Sequence, residues 1–283
     1  MVLDLATIEK IKALVYQKPH SINSIALALG KNWRTADRYV EEIIKKTGTI
    51  KTMTFREGTR GALKVVYWNN TEKIYSTDIQ EELFKKIELG INKSDFSPFE
   101  IYQYVDPQKR DGFYEEIKNE KNYNYRIEQL IPYIETSEKE ISIFAGNLAF
   151  LHIIHNKKKI IDYFNDAIER GVMIKVISSI NLIDLENIQL LLSLNQGLRE
   201  PLVEIRHNII PLRGYIFDTK ILRLGEIANS QKKDGQIQNL VANYYEIRDE
   251  MWVEWLDKLF WKKFQQAIPA KKRIEHINSL KKL

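Results

Sequence analysis

Hydrophobic positions in the first 70 residues recur at helical spacing three times and then alternate twice. Amphipathic helices are predicted over residues 6–17, 21–29 and 33–47. Gly30 supplies a tight turn between the second and third helices. Two strands follow over 49–55 and 62–68, and the two glycines between them predict a hairpin tip. The pattern therefore predicts three helices closed by a β-hairpin.

The middle of the chain is more charged and less regular. Residues 76–89 predict an amphipathic helix with Ile79, Leu83 and Ile87 on its inner face. This helix is a candidate dimer contact, and packing on its own domain is the alternative. Residues 97–105 and 107–117 predict short helical connectors.

From residue 123 onward, helical and strand patterns alternate, which is typical of an α/β domain. Strands are predicted over 140–145, 172–178, 203–206, 215–218 with 220–224 as its continuation, and 244–248. Helices are predicted over 126–134, 157–170, 182–194 and 251–268, and the last is rich in aromatic residues. The predicted organisation is residues 1–70, a segment over 71–122, and residues 123–283.

Charge changes this picture because it is unevenly distributed. The net charge is +5, yet residues 1–70 carry 12 Lys and Arg against 6 Asp and Glu, which leaves 31 against 32 in the rest. A basic module on a neutral body suggests a polyanion partner, and a solvated basic surface is the alternative. The sequence has no cysteine, which excludes disulfides and thiolate metal sites. No apolar run spans a membrane and no signal peptide is recognised, so we expect a cytoplasmic protein.

The order of the first elements, together with the segment KNWRTADRYV (31–40), resembles a winged helix-turn-helix. That resemblance implies that the start of the third helix enters the major groove of double-stranded DNA. The DNA-binding residues it implies are Lys31, Asn32, Arg34, Thr35 and Arg38 on that helix, and Arg56 and Arg60 on the wing. Protein contacts are the alternative use of such a module. Trp33 and Tyr39 are predicted to pack in the core rather than to stack on bases.

A second resemblance covers residues 123–270. The segment DAIERGVMIKVIS (166–178) is similar to the helix and strand that precede the catalytic motif of the phospholipase D superfamily. The segment FWKKFQQAIP (260–269) is similar to the closing helix of archaeal TrmB-type regulators, which join a winged helix to a phospholipase D-like effector domain. The implied fold class is an α+β winged helix-turn-helix followed by an α/β phospholipase D-like domain.

The superfamily's motif, His-x-Lys-x4-Asp, has one literal match in His155, Lys157 and Asp162. This match falls at a predicted helix start, where side chains two positions apart diverge. The segment 211–218 aligns with the motif instead, with Pro211 and Arg213 in place of histidine and lysine and with Asp218 kept. We therefore predict no catalytic residues, no metal and no cofactor.

We expect a phospholipase D-like domain without catalytic residues to keep a ligand cleft at the strand ends, lined by Asn147, His207, Arg213 and Asp218. A structural histidine at 207 and a turn cap at Asp218 are the alternatives. The aromatic helix is expected to form core or a dimer interface rather than a ligand box, and Lys271–Arg273 and Lys281–Lys282 could add phosphate contacts.

The predicted function is that of a DNA-binding transcription regulator. It is expected to act as a homodimer, to respond to a small-molecule effector and to make no membrane contact. A phospholipase D-type nuclease targeted by its winged helix and an architectural DNA-binding protein are the alternatives.

Overall fold

The computed structural model describes residues 3–47, 49–56, 62–68, 76–117, 129–229 and 240–280. Its helices are α1 (Leu5–Gln17), α2 (Ile22–Leu29), α3 (Trp33–Thr47), α4 (Ser76–Leu89), α5 (Phe99–Tyr102), α6 (Ile131–Thr136), α7 (Ile160–Glu169), α8 (Leu185–Ser193), α9 (Glu250–Gln266) and α10 (Ala270–Leu280). Its strands are β1 (His20–Ser21), β2 (Ile50–Arg56), β3 (Ala62–Trp68), β4 (Arg110–Ile117), β5 (Glu140–Ala145), β6 (Ile154–His155), β7 (Lys158–Lys159), β8 (Met173–Ser178), β9 (Val203–His207), β10 (Gly214–Phe217), β11 (Ile221–Asn229), β12 (Leu240–Ile247) and β13 (Ile268–Pro269). Among the described helices, none is long and apolar enough to cross a membrane.

The N-terminal unit consists of α1, α2 and α3 with a three-stranded antiparallel sheet in the order β1-β3-β2. Its core contains apolar residues from all three helices and from the helix-facing side of the sheet, such as Ile11, Ile25, Val40, Ile50 and Val66. The three helices and the two long strands lie where the sequence predicts them. The predicted boundaries at residues 70 and 122 fall outside the described residues.

The rest of the chain is built around a mixed sheet of eight strands in the order β13-β9-β8-β5-β10-β11-β12-β4. Strands β5, β8 and β9 are parallel, and the others pair antiparallel. Alternate residues of each strand face opposite sides of the sheet. One side packs on α6, α7, α8 and α10, and the other packs on α4, α5 and α9. The fold is therefore mixed α/β with helices on both faces of one large sheet.

Aromatic side chains join the N-terminal unit to the large sheet. The outer face of the β2–β3 hairpin contributes Phe55 and Tyr67, whose rings meet Phe99, Tyr102 and Tyr245 at centroid distances of 5.7 to 6.4 Å. We call these five residues the aromatic joint. On β4, a Cβ at Gly112 would overlap the Phe55 ring, so the hairpin approaches this strand more closely than any other residue allows. The hairpin is thus packed between its own helices and the large sheet.

Several predicted elements differ in the structure. Residues 107–117 are not a helical connector, because Arg110–Ile117 forms β4, which pairs with β12 at the end of the large sheet. Residues 220–224 do not continue the preceding strand. Asp218 and Thr219 have positive φ and turn the chain, so β11 pairs antiparallel with β10.

Two predicted helices pack on this chain's own core. Leu83 and Ile87 of α4 are buried in the hydrophobic cluster of the large sheet. That face of α4 therefore packs on its own domain, which is the alternative to a dimer contact. On α9, Trp252, Phe260 and Phe264 are buried in the same cluster, as expected for core. The basic segment Lys271–Arg273 belongs to α10, and Lys281–Lys282 lie outside the described residues.

Candidate nucleic-acid interface and ligand cleft

Helix α3 is set in place by a tight turn and a side-chain cap. Gly30 takes the left-handed conformation with φ of 62°, and the Lys31 N–H donates to the Ala26 carbonyl at 2.9 Å, which closes the end of α2. The Asn32 Oδ1 then accepts a hydrogen bond from the Thr35 N–H at 2.9 Å. The proposed DNA contact Asn32 therefore also caps the helix that would enter DNA.

The two sides of α3 differ in character. Ala36, Tyr39, Val40 and Ile43 are buried against α1, α2 and the sheet. On the other side, Lys31, Asn32, Arg34 and Arg38 are exposed, and Thr35 is partly buried. Because residues 34 and 38 are one turn apart, their guanidinium groups share one face. The five residues predicted from the sequence to contact DNA therefore lie together at the start of α3 and in the turn before it.

Two of the three acidic residues of α3 are bound by a lysine from the hairpin. The Lys64 ammonium on β3 lies 2.6 Å from the Asp37 carboxylate and 2.5 Å from that of Glu41. Burial alone would lower the pKa of Lys64, but the hydrogen bonds and charges of the two carboxylates outweigh it and raise that pKa. The sequence reasoning missed Lys64. Strand alternation was the available signal, since it puts Lys64 on the same helix-facing side as Val66.

The two aromatic residues of α3 behave differently. Tyr39 is 3% exposed and packs in the core, as predicted. Trp33 is 55% exposed, so the prediction that it packs in the core is wrong. Its ring lies 5.7 Å from the Arg34 guanidinium, which places an indole beside a cation at the start of α3.

The structure describes only part of the two wing residues that are predicted to contact DNA, Arg56 and Arg60. Arg56 is the last residue of β2, and its backbone pairs with Ala62, but its side chain is not among those described. Arg60 lies outside the described residues. Their roles stay predictions.

The sequence predicts a ligand cleft where β5, β8 and β9 end, a place that we call the carboxyl edge of the sheet. Asn147 follows β5 and is exposed, His207 is the last residue of β9, and Arg213 directly precedes β10. The Arg213 Nη1 donates to the carbonyl oxygens of Ile210 and Leu212 at 2.9 and 2.6 Å. Three of the four predicted cleft residues therefore meet at one edge.

His207 is tied into this edge by the backbone. Its Nδ1 accepts a hydrogen bond from the Ile180 N–H at 2.8 Å, and the Ile180 carbonyl accepts one from Arg273 Nε at 3.2 Å. Burial and the positive charge of Arg273 lower the pKa of His207, which favours the neutral ring that can accept this bond. The sequence analysis did not place Arg273 here, because it assigned Lys271–Arg273 to possible phosphate contacts.

Asp218 does not belong to the cleft. It follows the far end of β10, beside the start of β5, since Phe217 pairs with Ile141. Its carboxylate accepts hydrogen bonds from the N–H groups of residues 138, 139 and 140 at 2.8 to 3.0 Å. Burial alone would raise the pKa of Asp218, but these bonds outweigh it and lower that pKa. The alternative of a turn cap describes its geometry.

The literal motif match lies on a small hairpin. His155 ends β6, Lys157 lies in the following turn with φ of 66°, and Asp162 accepts from the Lys159 N–H at the start of α7. The helix predicted from residue 157 begins at Ile160. These three side chains do not project from one strand face.

The chain is similar to some solved protein structures, at low sequence identity. No family model and no curated protein matches the chain. Similar solved structures include Nuc from Salmonella typhimurium, a phospholipase D family member, at 11% identity and a TM-score of 0.38, covering 57% of this chain and 98% of that one. NucT from Helicobacter pylori has 13% identity and a TM-score of 0.38 over 57% and 99%. TrmBL2, an archaeal chromatin protein whose structure shows a novel mode of DNA binding, has 14% identity and a TM-score of 0.38 over 95% and 95%.

These likenesses are too distant to assign a function, but they correct one expectation. The sequence analysis predicts no catalytic residues and therefore no enzyme. That prediction is wrong, since the similar structures include Nuc, a phospholipase D family member, and NucT. We withdraw it.

Proposed function

We propose that this chain is a DNA-binding regulator whose N-terminal unit is a winged helix-turn-helix that reads double-stranded DNA through the start of α3. One observation carries the proposal. The start of α3 and the turn before it present Lys31, Arg34 and Arg38 on an exposed face, while Lys64 binds two of the three carboxylates of the helix, those of Asp37 and Glu41. A face with three cations, on a helix two of whose carboxylates are already paired with Lys64, is suited to a polyanion.

The arrangement also suits the shape of a duplex. Lys31, Asn32 and Arg34 at the start of α3 are exposed, as is Arg38 one turn later, and Thr35 is partly buried. In helix-turn-helix docking, the N-terminal residues of the third helix contact base edges in the major groove. A guanidinium there can donate two hydrogen bonds to a guanine, and a lysine is a point charge for phosphate. Arg34 and Arg38 are therefore proposed as base or phosphate contacts.

For the rest of the chain, we propose an effector role at the carboxyl edge. Ligands of open α/β sheets bind where parallel strands end, and Asn147, His207 and Arg213 meet there. A small-molecule effector would regulate DNA binding if it bound the two conformations of the protein with different affinities. We further propose a homodimer, because a two-fold DNA site needs two copies of α3. Sedimentation equilibrium measures this state directly.

The proposed interface is tested by replacing Arg34 and Arg38 together with alanine. Fluorescence anisotropy titrations with a labelled duplex at several salt concentrations give both affinity and salt slope. We expect affinity to fall at least about tenfold and the slope to decrease by about two, since each phosphate contact contributes about 0.9 to it. Both side chains are exposed, so the thermal unfolding midpoint should not change.

The matched control is Lys139→Ala with Lys220→Ala. These exposed lysines lie near the β10–β11 turn, and their removal changes net charge by the same amount. A double Arg variant that binds like the control would refute the assignment of α3. Competition with unrelated duplexes then separates the regulator from an architectural protein, because regulation requires a preferred sequence and coating does not.

A further inference from the structure

Trp33 is the most conspicuous residue of the proposed interface that the function above does not use. It is the first residue of α3, and 55% of its surface is exposed. It does not belong to the core of the N-terminal unit, whose members on α3 begin at Ala36. A large, mostly exposed apolar ring at the start of this helix contributes little to folding and is available to contact a partner.

The neighbours of Trp33 define a mixed surface. Lys31, Asn32 and Arg34 are all exposed, and the Arg34 guanidinium lies 5.7 Å from the centroid of the indole ring. The indole therefore has hydrogen-bonding and charged groups on both sides. Aromatic residues next to arginine are typical of the positions that dominate binding energy in interfaces. This small patch can offer a partner apolar contact and charge together.

We propose that the Trp33 indole makes apolar contact with thymine methyl groups in the major groove, which makes it a specificity-determining residue. This inference rests on the proposed docking of α3. The C5-methyl of thymine is the apolar group that the major groove displays, and the first residues of the third helix are those that reach base edges. Stacking is a poorer use of this ring, because the bases of an intact duplex are already stacked on each other.

The contact differs from that of Arg34 in a measurable way. An apolar contact displaces no counterions, so its loss lowers affinity at every salt concentration and leaves the salt slope unchanged. Loss of an arginine contact to phosphate lowers affinity and slope together. The two neighbouring side chains can therefore be separated by one titration series.

The test uses two duplexes, one of alternating dA and dT and one of alternating dA and dU, which lacks the methyl groups. The proteins are the full chain, Trp33→Ala, Trp33→Phe and Arg34→Ala. We expect the unchanged chain to prefer the thymine duplex by about fourfold for each methyl group that it buries. Trp33→Ala should bind both duplexes equally with an unchanged salt slope. Trp33→Phe should keep part of the preference, and Arg34→Ala should keep all of it with a lower slope.

Equal binding of both duplexes by the unchanged chain, or an undiminished preference in Trp33→Ala, would overturn the role of Trp33. Failure of the proposed function looks different, because Arg34→Ala with Arg38→Ala would then bind either duplex as the unchanged chain does. Trp33 lies outside the core, so circular dichroism and thermal unfolding should match among all the variants.

Discussion

Two surfaces of this chain carry positive charge, and they differ in what their charged groups are bonded to. On α3, Lys64 binds two of the three carboxylates, and the side chains of Arg34 and Arg38 are exposed. At the carboxyl edge, Arg213 and Arg273 donate to backbone carbonyls of neighbouring loops. The first surface is arranged before any partner arrives, whereas the second holds its own loops in place.

This difference suggests different uses. A preorganised positive surface favours rapid, salt-dependent binding of a long polyanion. A ligand at the carboxyl edge has to replace or extend hydrogen bonds that position the loops around residues 180 and 210, so its binding is coupled to loop conformation. The first surface is therefore suited to holding DNA and the second to sensing.

The largest expected effect concerns Gly112, which lets the β2–β3 hairpin of the N-terminal unit pack closely on the large sheet. Gly112→Ala would push a methyl group into the Phe55 ring of the aromatic joint, so we expect a loss of about 1–3 kcal/mol in the free energy of unfolding. Denaturant unfolding monitored by tryptophan fluorescence measures this. Gly225→Ala is the control, since its Cβ would meet Tyr244 at an ordinary 3.5 Å. Equal stability of the two variants would mean that the hairpin is not packed on β4.

A smaller effect is expected at Asp218. Asp218→Asn weakens the acceptor of three backbone N–H groups, and we expect it to cost about 1–2 kcal/mol at pH 7. Because the folded pKa of Asp218 is lowered, its stabilisation is present above its ordinary value of 3.8 and is lost as pH falls through the folded pKa. The difference between the two proteins should therefore shrink below about pH 4 in denaturant titrations.

Glu138→Gln is the control for Asp218, because it removes one negative charge from the same turn and leaves the three hydrogen bonds to Asp218 in place. DNA affinity should be unchanged in both variants, since neither residue belongs to the exposed face of α3 that is proposed to contact DNA. If Asp218→Asn lost the response to a small-molecule effector while remaining as stable as the unchanged chain, Asp218 would belong to the predicted ligand cleft after all.

The sequence predicts those features of the fold that depend on residues close together along the chain. Strands β5, β8 and β9 lie within one residue of their predicted bounds, because each is a short segment in which apolar residues recur at alternate positions. Strand β4 was missed because its segment RDGFYEEI is charged and contains Gly112, and it is a strand only through its long-range pairing with β12. The turn at Asp218 and Thr219 carries no glycine, and its local signal is Asp218, a residue type that tolerates positive φ and caps turns.

The candidate sites show the same limit. The outward position of Arg34 and Arg38 follows from helical spacing alone. The same spacing puts Trp33 in line with Ala36, which predicts burial, but the core of the N-terminal unit does not extend to the first residue of α3. The grouping of Asp218 with His207 failed because strand direction decides which end of the sheet a residue reaches, and β10 runs antiparallel to β5.

The smallest expected effect concerns Lys64, which maintains the charge of the α3 face. Lys64→Ala would leave Asp37 and Glu41 beside Arg34 and Arg38, where they compete with phosphate, so we expect DNA affinity to fall by about threefold. Adding Asp37→Asn and Glu41→Gln should restore it. Anisotropy titrations at low salt measure both changes. Failure of the triple variant to recover would show that Lys64 itself contacts DNA.

The most direct measurement of the central role of α3 attaches a cleavage reagent to it. Since the chain has no cysteine, Lys31→Cys offers one thiol for an iron-EDTA chelate, and Lys220→Cys offers the control at the β10–β11 turn. With each labelled protein bound to a duplex, we predict strong strand cleavage from position 31 and cleavage no greater than that of the free chelate from position 220. Equal cleavage from both positions, or none from position 31 in a bound complex, would contradict the placement of α3 in DNA.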